Sequence, residues 1–162
     1  MEIKEIPLDV FDSRCKQCNA SFEVYGFPDF EYGRRILRTK GGTQMVLLSH
    51  EDAVVEEVGS LIQELYSGKK LGDRERGVLF NEVFGLTCDP LNGEPIEANQ
   101  RPVCPYCGST TLETFERVPR TPVNVKLPLI THAAWEKKSE REKLSIIESG
   151  LSNRRRSLGS TQ

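Results

Sequence analysis

The chain holds five cysteines, four of them in two pairs of identical spacing, Cys15-Lys16-Gln17-Cys18 and Cys104-Pro105-Tyr106-Cys107. A C-x-x-C turn presents two sulfurs from one short loop while backbone N–H groups point at them, and two such turns make a closed tetrahedral zinc site. The odd cysteine count and the amino-terminal MEIKEIPLDV, which has no basic then apolar leader pattern, argue against a disulfide framework. We therefore expect Cys15, Cys18, Cys104 and Cys107 to bind one zinc per chain in a structural role, because four thiolates leave no open position for a substrate. Iron is the less favoured ion, since the same ligands accept it.

The pairs are 85 residues apart, well beyond the roughly 15–20 of a short ribbon. Loop-closure entropy grows only with the logarithm of length, so an insertion that brings its own ends together is tolerable. Arg14, Lys16 and Arg101 flank the cysteines and could offset the negative charge of a zinc tetrathiolate.

The segments Phe11-x-x-Arg14-Cys15-x-x-Cys18-x-x-x-Phe22-Glu23-Val24 and Cys104-Pro105-x-Cys107-Gly108-Ser109 resemble the FmdB-type zinc-ribbon family of small regulatory proteins. That resemblance covers only the knuckles and their flanks, and it implies metal ligation by the four cysteines together with a regulatory role. Asn19 stands where such knuckles commonly carry glycine, and the long insertion has no counterpart in a minimal ribbon. The Cys-Pro-x-Cys-Gly knuckle also resembles a rubredoxin half-site, which would imply iron and electron transfer. Cys104-Pro105-Tyr106-Cys107 is similar to the glutaredoxin motif, which would imply thiol-disulfide exchange. That chemistry wants a buried strand before the motif and a helix after it, whereas Arg101-Pro102 precedes and a strand-like TTLETF follows.

Other candidates are weaker. Cys88 reads as a small buried hydrophobe. His50 and His132 each sit where a helix is expected to start, and nothing local pairs either with Cys88 as base and nucleophile. No glycine-rich phosphate loop, catalytic carboxylate pair or histidine metal triad occurs, so no catalytic residue is assigned.

The elements that must position the cysteines are short. Residues 1–14 contain an extended stretch, with Leu8 and Val10 alternating against Asp9 and leading into Phe11, Phe22 to Tyr25 alternate as a strand after the first pair, and Met45 to Leu48 suits a buried strand. Val54, Val55, Val58, Leu61, Ile62 and Leu65 recur at helical spacing, predicting a helix over 51–67 with Ser49 and Asp52 as an approximate capping box and Gly68 as its stop. A second helix is expected over 73–84, weakened by Gly77. Residues 88–102 are turn-rich, residues 110–118 and 123–127 are extended, and Thr131 is placed to cap a last, largely exposed helix.

The expected architecture is therefore α+β: a zinc-ribbon β unit over 1–130 with a helical insertion at 49–87, a C-terminal helix over 131–151, and a disordered basic tail over 152–162. Hydrophobic residues make up 37% of the chain, below the usual share of about 45–50%, which fits a small core that needs a metal staple. No run of 18 apolar residues predicts a membrane span, and a cytoplasmic location is the default expectation. Residues 1–131 carry 15 Lys and Arg against 20 Asp and Glu, whereas the remainder carries 7 against 4. An acidic body argues against a broad phosphate-binding face and favours a protein partner, leaving the basic tail as the route to nucleic acid. A non-enzymatic binding, adaptor or regulatory role is the resulting expectation, with a redox role for the C-x-x-C pairs as the alternative.

Overall fold

The structure is a computed structural model that describes residues 1–29, 33–49 and 51–159, with residues 114 and 154–159 described for their backbone. His50 lies outside the described residues. The elements run β1 (Ile3–Cys15), β2 (Ser21–Gly26), β3 (Arg35–Thr39), β4 (Met45–Leu48), α1 (Ala53–Leu65), α2 (Asp73–Val83), a 3-10 turn (Phe84–Thr87), β5 (Ile96–Glu97), β6 (Leu112–Arg117), β7 (Val123–Pro128), α3 (Ala133–Glu136) and α4 (Glu140–Gly159). The α+β class read from the sequence holds.

The chain divides into two compact units, Met1–His50 with Gln100–Ile130, and Glu51–Asn99 with Thr131–Gln162. The helical segment and the C-terminal helices, expected as separate appendages, thus fall together in one unit.

In the first unit β1 is the organising strand. Its first half pairs antiparallel with β7, from Ile3↔Pro128 to Leu8↔Val123, and its second half pairs with β2 on one side and β6 on the other. The strand fills most of the extended stretch expected within residues 1–14, because pairing with β7 recruits Ile3 to Pro7 beside the alternating Leu8 to Phe11. Its inward side chains Ile6 and Leu8 meet Leu47 and Leu127, and Tyr25, Phe27, Ile36 and Met45 pack around them. The β3–β4 hairpin, with Leu37 opposite Val46, adds a strand absent from the sequence reading, since Arg35 and Arg38 mask its alternation.

In the second unit α1 buries Val54, Val58 and Ile62, the stripe its periodicity predicts. Its N-cap is Asp52, whose Oδ1 accepts from the Val54 amide at 3.0 Å, so the expected Ser49–Asp52 box is replaced by a cap on Asp52 itself. The last helix is two helices. In α3 the first-turn amides of Ala133 and Ala134 donate to Asp89 at 2.7 and 3.0 Å, and Thr131 Oγ1 donates to the same carboxylate. Asp89 therefore takes the role expected of Thr131. A turn at Lys137 and Lys138 separates α3 from α4, and α4 continues to Gly159, so the tail expected to be disordered is helical that far. Trp135, Phe84, Val83, Ile147 and Leu151 fill this unit's core beside the α1 stripe. No helix among the described residues is long and apolar enough to cross a membrane.

Candidate metal centre

The first knuckle is the turn between β1 and β2, with Cys15 as the last residue of β1. The Cys15 amide donates to the Ala20 carbonyl at 2.9 Å and the Asn19 amide donates to the Cys15 carbonyl at 3.0 Å. The second knuckle repeats this closure: the Cys104 amide donates to the Ser109 carbonyl and the Gly108 amide to the Cys104 carbonyl, both at 2.8 Å. Strand pairing brings the turns together, through the β1–β6 register that sets Cys15 opposite Leu112 and a Lys16 amide bond to the Thr111 carbonyl at 3.0 Å.

The result is one cluster. The four sulfurs lie within 4.8 Å of one another, with Cys15 Sγ 3.5 Å from Cys107 Sγ and Cys18 Sγ 3.5 Å from Cys104 Sγ. Those distances are far beyond a disulfide bond of about 2.05 Å. They are close to the edge of about 3.8 Å that a tetrahedron with 2.3 Å metal–sulfur bonds requires. Cys15 and Cys104 are buried while Cys18 and Cys107 are exposed, so the cluster has an inner and an outer pair of sulfurs.

The electrostatics fit a cation among the sulfurs. The Cys18 amide, with help from that of Gln17, points at Cys15 and lowers its pKa to about 6 despite burial. At Cys107 the Ser109 amide acts in the same sense, but burial and the three neighbouring sulfurs outweigh it and push the thiol up to about 12. Cys18 is also raised, its Ala20 amide contact being overcome by burial and Cys104. Four thiols this close resist ionising together unless a positive ion takes up the charge. Arg14, Lys16 and Arg101 are solvent-exposed, and among the described contacts none reaches a sulfur. The donor set of four soft sulfurs suits zinc and iron alike.

Cys104-Pro105-Tyr106-Cys107 lies in a turn followed by strand β6, not at the head of a helix. Cys88 is partly buried, its Sγ directed at the Phe84 carbonyl at 3.5 Å, and burial pushes its pKa up to about 12. The ring nitrogens of His132 face the Thr87 carbonyl at 2.8 Å and Asp52 Oδ2 at 2.9 Å, so neither is turned to Cys88. The pairing of His132 with Asp52 was not readable from sequence, as 80 residues separate them.

Comparison with protein-family models, with curated proteins and with solved structures returns no match to this chain.

Proposed function

We propose that the chain is a zinc-ribbon binding module of the kind its FmdB-like knuckles suggest: one structural zinc held by Cys15, Cys18, Cys104 and Cys107, no catalytic centre, and a protein as partner. The gathering of four sulfurs from distant segments within 4.8 Å carries the reading. Zinc would join the end of β1 to the segment before β6, closing the 85-residue insertion on itself. A four-thiolate shell leaves no position for substrate, which favours structure over catalysis. The acidic body favours a protein over nucleic acid as partner, and reduced thiols favour the cytoplasm.

The test is metal content of the purified chain by elemental analysis with native mass spectrometry. One zinc per chain, lost in both Cys15→Ser and Cys104→Ser, is the expected result. Iron with thiolate-to-iron visible absorption would turn the reading to electron transfer. A metal-free protein with a reversible Cys104–Cys107 disulfide would turn it to thiol-disulfide exchange.

A further inference from the structure

Beside the second knuckle the first unit has a pocket of about 160 Å³, walled by Phe22 and Val24 of β2, by Arg38 and Met45 of the β3–β4 hairpin, and by Val103 and Pro105 on either side of Cys104. The hairpin is pressed against the knuckle segment: Gly42 has φ +71, and a Cβ there would lie 2.7 Å from Val103 Cγ2. The wall is therefore set by close packing and not by a loose loop. An engineered cavity of about 150 Å³ holds a benzene molecule, so this one has room for a single side chain.

The pocket carries one uncompensated cation. Arg38 Nη2 donates to the Tyr25 carbonyl at 3.3 Å and approaches Met45 Sδ at 4.0 Å. Its Nε and Nη1 have no partner among the described residues, and neither is sealed from solvent, the one orphaned buried side-chain atom being Ser13 Oγ. Nε shares one edge of the guanidinium with Nη2 and Nη1 shares the other; the Tyr25 contact takes one of the two Nη2 hydrogens, which leaves one edge able to meet a carboxylate with two parallel hydrogen bonds. Glu23 also lines the pocket, but its carboxylate is engaged by Arg120 and by the Tyr25 hydroxyl, which cancels its charge. Burial alone pulls the Arg38 pKa below its ordinary value, with no carboxylate acting in the opposite sense.

We infer that this pocket binds one carboxylate, supplied by an aspartate or glutamate side chain of the protein partner; the partner's nature rests on the function proposed above. A single positive charge ringed by Phe22, Val24, Pro102 and Pro105 selects an isolated acidic residue flanked by apolar ones. A run of carboxylates would find only this one unpaired cation in the lining and would meet Glu23 beside it. A doubly charged phosphate finds no second cation in the lining.

The test is a ¹⁵N NMR titration of the zinc-loaded full chain with N-acetyl-glutamate N-methylamide, using the glutamine analogue and inorganic phosphate as comparators. Saturable shifts at the Val24, Thr43 and Val103 amides are expected at millimolar ligand. Binding of the glutamine analogue should be weaker by about tenfold or more, the usual value of a charge-assisted pair. Arg38→Gln should abolish the shifts. Thr43→Trp, which places a ring at the exposed mouth without touching Arg38, should abolish them too and serves if Arg38→Gln does not fold. Equal binding of the two analogues, stronger binding of phosphate, or full binding by a folded Arg38→Gln overturns the inference. The site and the module fail separately: a partner captured equally by wild type and Arg38→Gln removes the pocket and keeps the module. Saturable glutamate binding in a chain that holds no zinc and captures no partner does the reverse.

Discussion

Asn19 and Gly108 occupy the same place in two copies of one turn. Each is the fourth residue after the first cysteine of its pair, each donates its amide to that cysteine's carbonyl, and each has positive φ, 63° and 73° respectively. Asparagine tolerates this left-handed conformation better than other side-chain-bearing residues, which explains how it serves at the place that Gly108 fills in the second turn.

The first prediction follows from that pairing. Asn19→Gly should be nearly neutral in thermal unfolding, whereas Asn19→Val should cost roughly 1–2 kcal/mol, the penalty of the left-handed region for a residue with an ordinary Cβ. If the four sulfurs hold a metal ion, competition with a chelator should show Asn19→Val releasing it more readily. Equal behaviour of the two variants would mean that the turn does not need this φ.

A second prediction concerns pH. His132 is buried, with Nδ1 2.8 Å from the Thr87 carbonyl and 3.3 Å from the Thr87 hydroxyl and Nε2 2.9 Å from Asp52 Oδ2, an arrangement that favours the doubly protonated ring. Burial opposes that charge, but the bonds to Asp52 and Thr87, with the charges of Asp52 and Asp89, outweigh it and raise the pKa above 6.5. The stabilisation is thus fully present below the ordinary histidine pKa and is lost as pH rises through the folded value. Glu57 and Asp89 act oppositely. Burial raises each, yet Lys143 and Trp135 at Glu57, and the α3 amides and Thr131 at Asp89, bring both below the usual carboxylate range. Their contribution is present at neutral pH and is lost in acid. An NMR titration of the His132 Hε1 signal should give a midpoint above 6.5, moved down in Asp52→Asn. A midpoint at or below 6.5 in the wild type would show that the ring is neutral and that Asp52 does not hold it.

The single tryptophan supplies a third. Trp135 is 1% exposed, and its Nε1–H donates to Glu57 Oε2 at 2.7 Å while Lys143 Nζ holds Oε1 at 2.7 Å. Trp135→Ala should cost about 3–5 kcal/mol, as for other buried aromatic truncations. Trp135→Phe keeps most of the volume and removes one hydrogen bond to a charged group, costing about 1.5–3 kcal/mol. Urea unfolding followed by circular dichroism would order the variants, and a Phe substitution as damaging as Ala would show that the Glu57 bond dominates over packing.

The parts legible in sequence were those whose signal is local. The C-x-x-C spacing names its own chemistry, α1 announces itself through Val54, Val58 and Ile62, and Met45 to Leu48 form the strand that an apolar run predicts. The break between α3 and α4 has an equally local signal. Ser139 Oγ and the Ser139 amide both bond Glu142 Oε2, a capping box spelled Ser-x-x-Glu in the sequence. What was not legible depends on partners far along the chain. Arg35 and Arg38 hide the alternation of β3, whose edge is fixed by β4. Asp89 caps a helix more than forty residues away, and the setting of Arg38 appears only once β2, the hairpin and the second knuckle surround it.

Two glycines of the second unit give the last prediction, because the same substitution should act with opposite sign. Gly77 lies inside α2, and a Cβ there meets nothing within 4 Å. Alanine keeps the helix and removes backbone freedom from the unfolded chain, so Gly77→Ala should stabilise by about 0.5–1 kcal/mol. Gly85, in the 3-10 turn, is pressed against β5: a Cβ would collide with the Ile96 carbonyl oxygen and lie 3.1 Å from its carbon. Backbone cannot give way as a flexible side chain does, so Gly85→Ala must displace either the turn or Ile96, which is 3% exposed. That displacement should destabilise by several times the Gly77 gain, on the scale of about 1–3 kcal/mol for core overpacking. Thermal unfolding of both variants, with any bound metal checked to be unchanged, reads the two signs directly. A neutral Gly85→Ala would mean that the turn and β5 do not pack as closely as this structure has them.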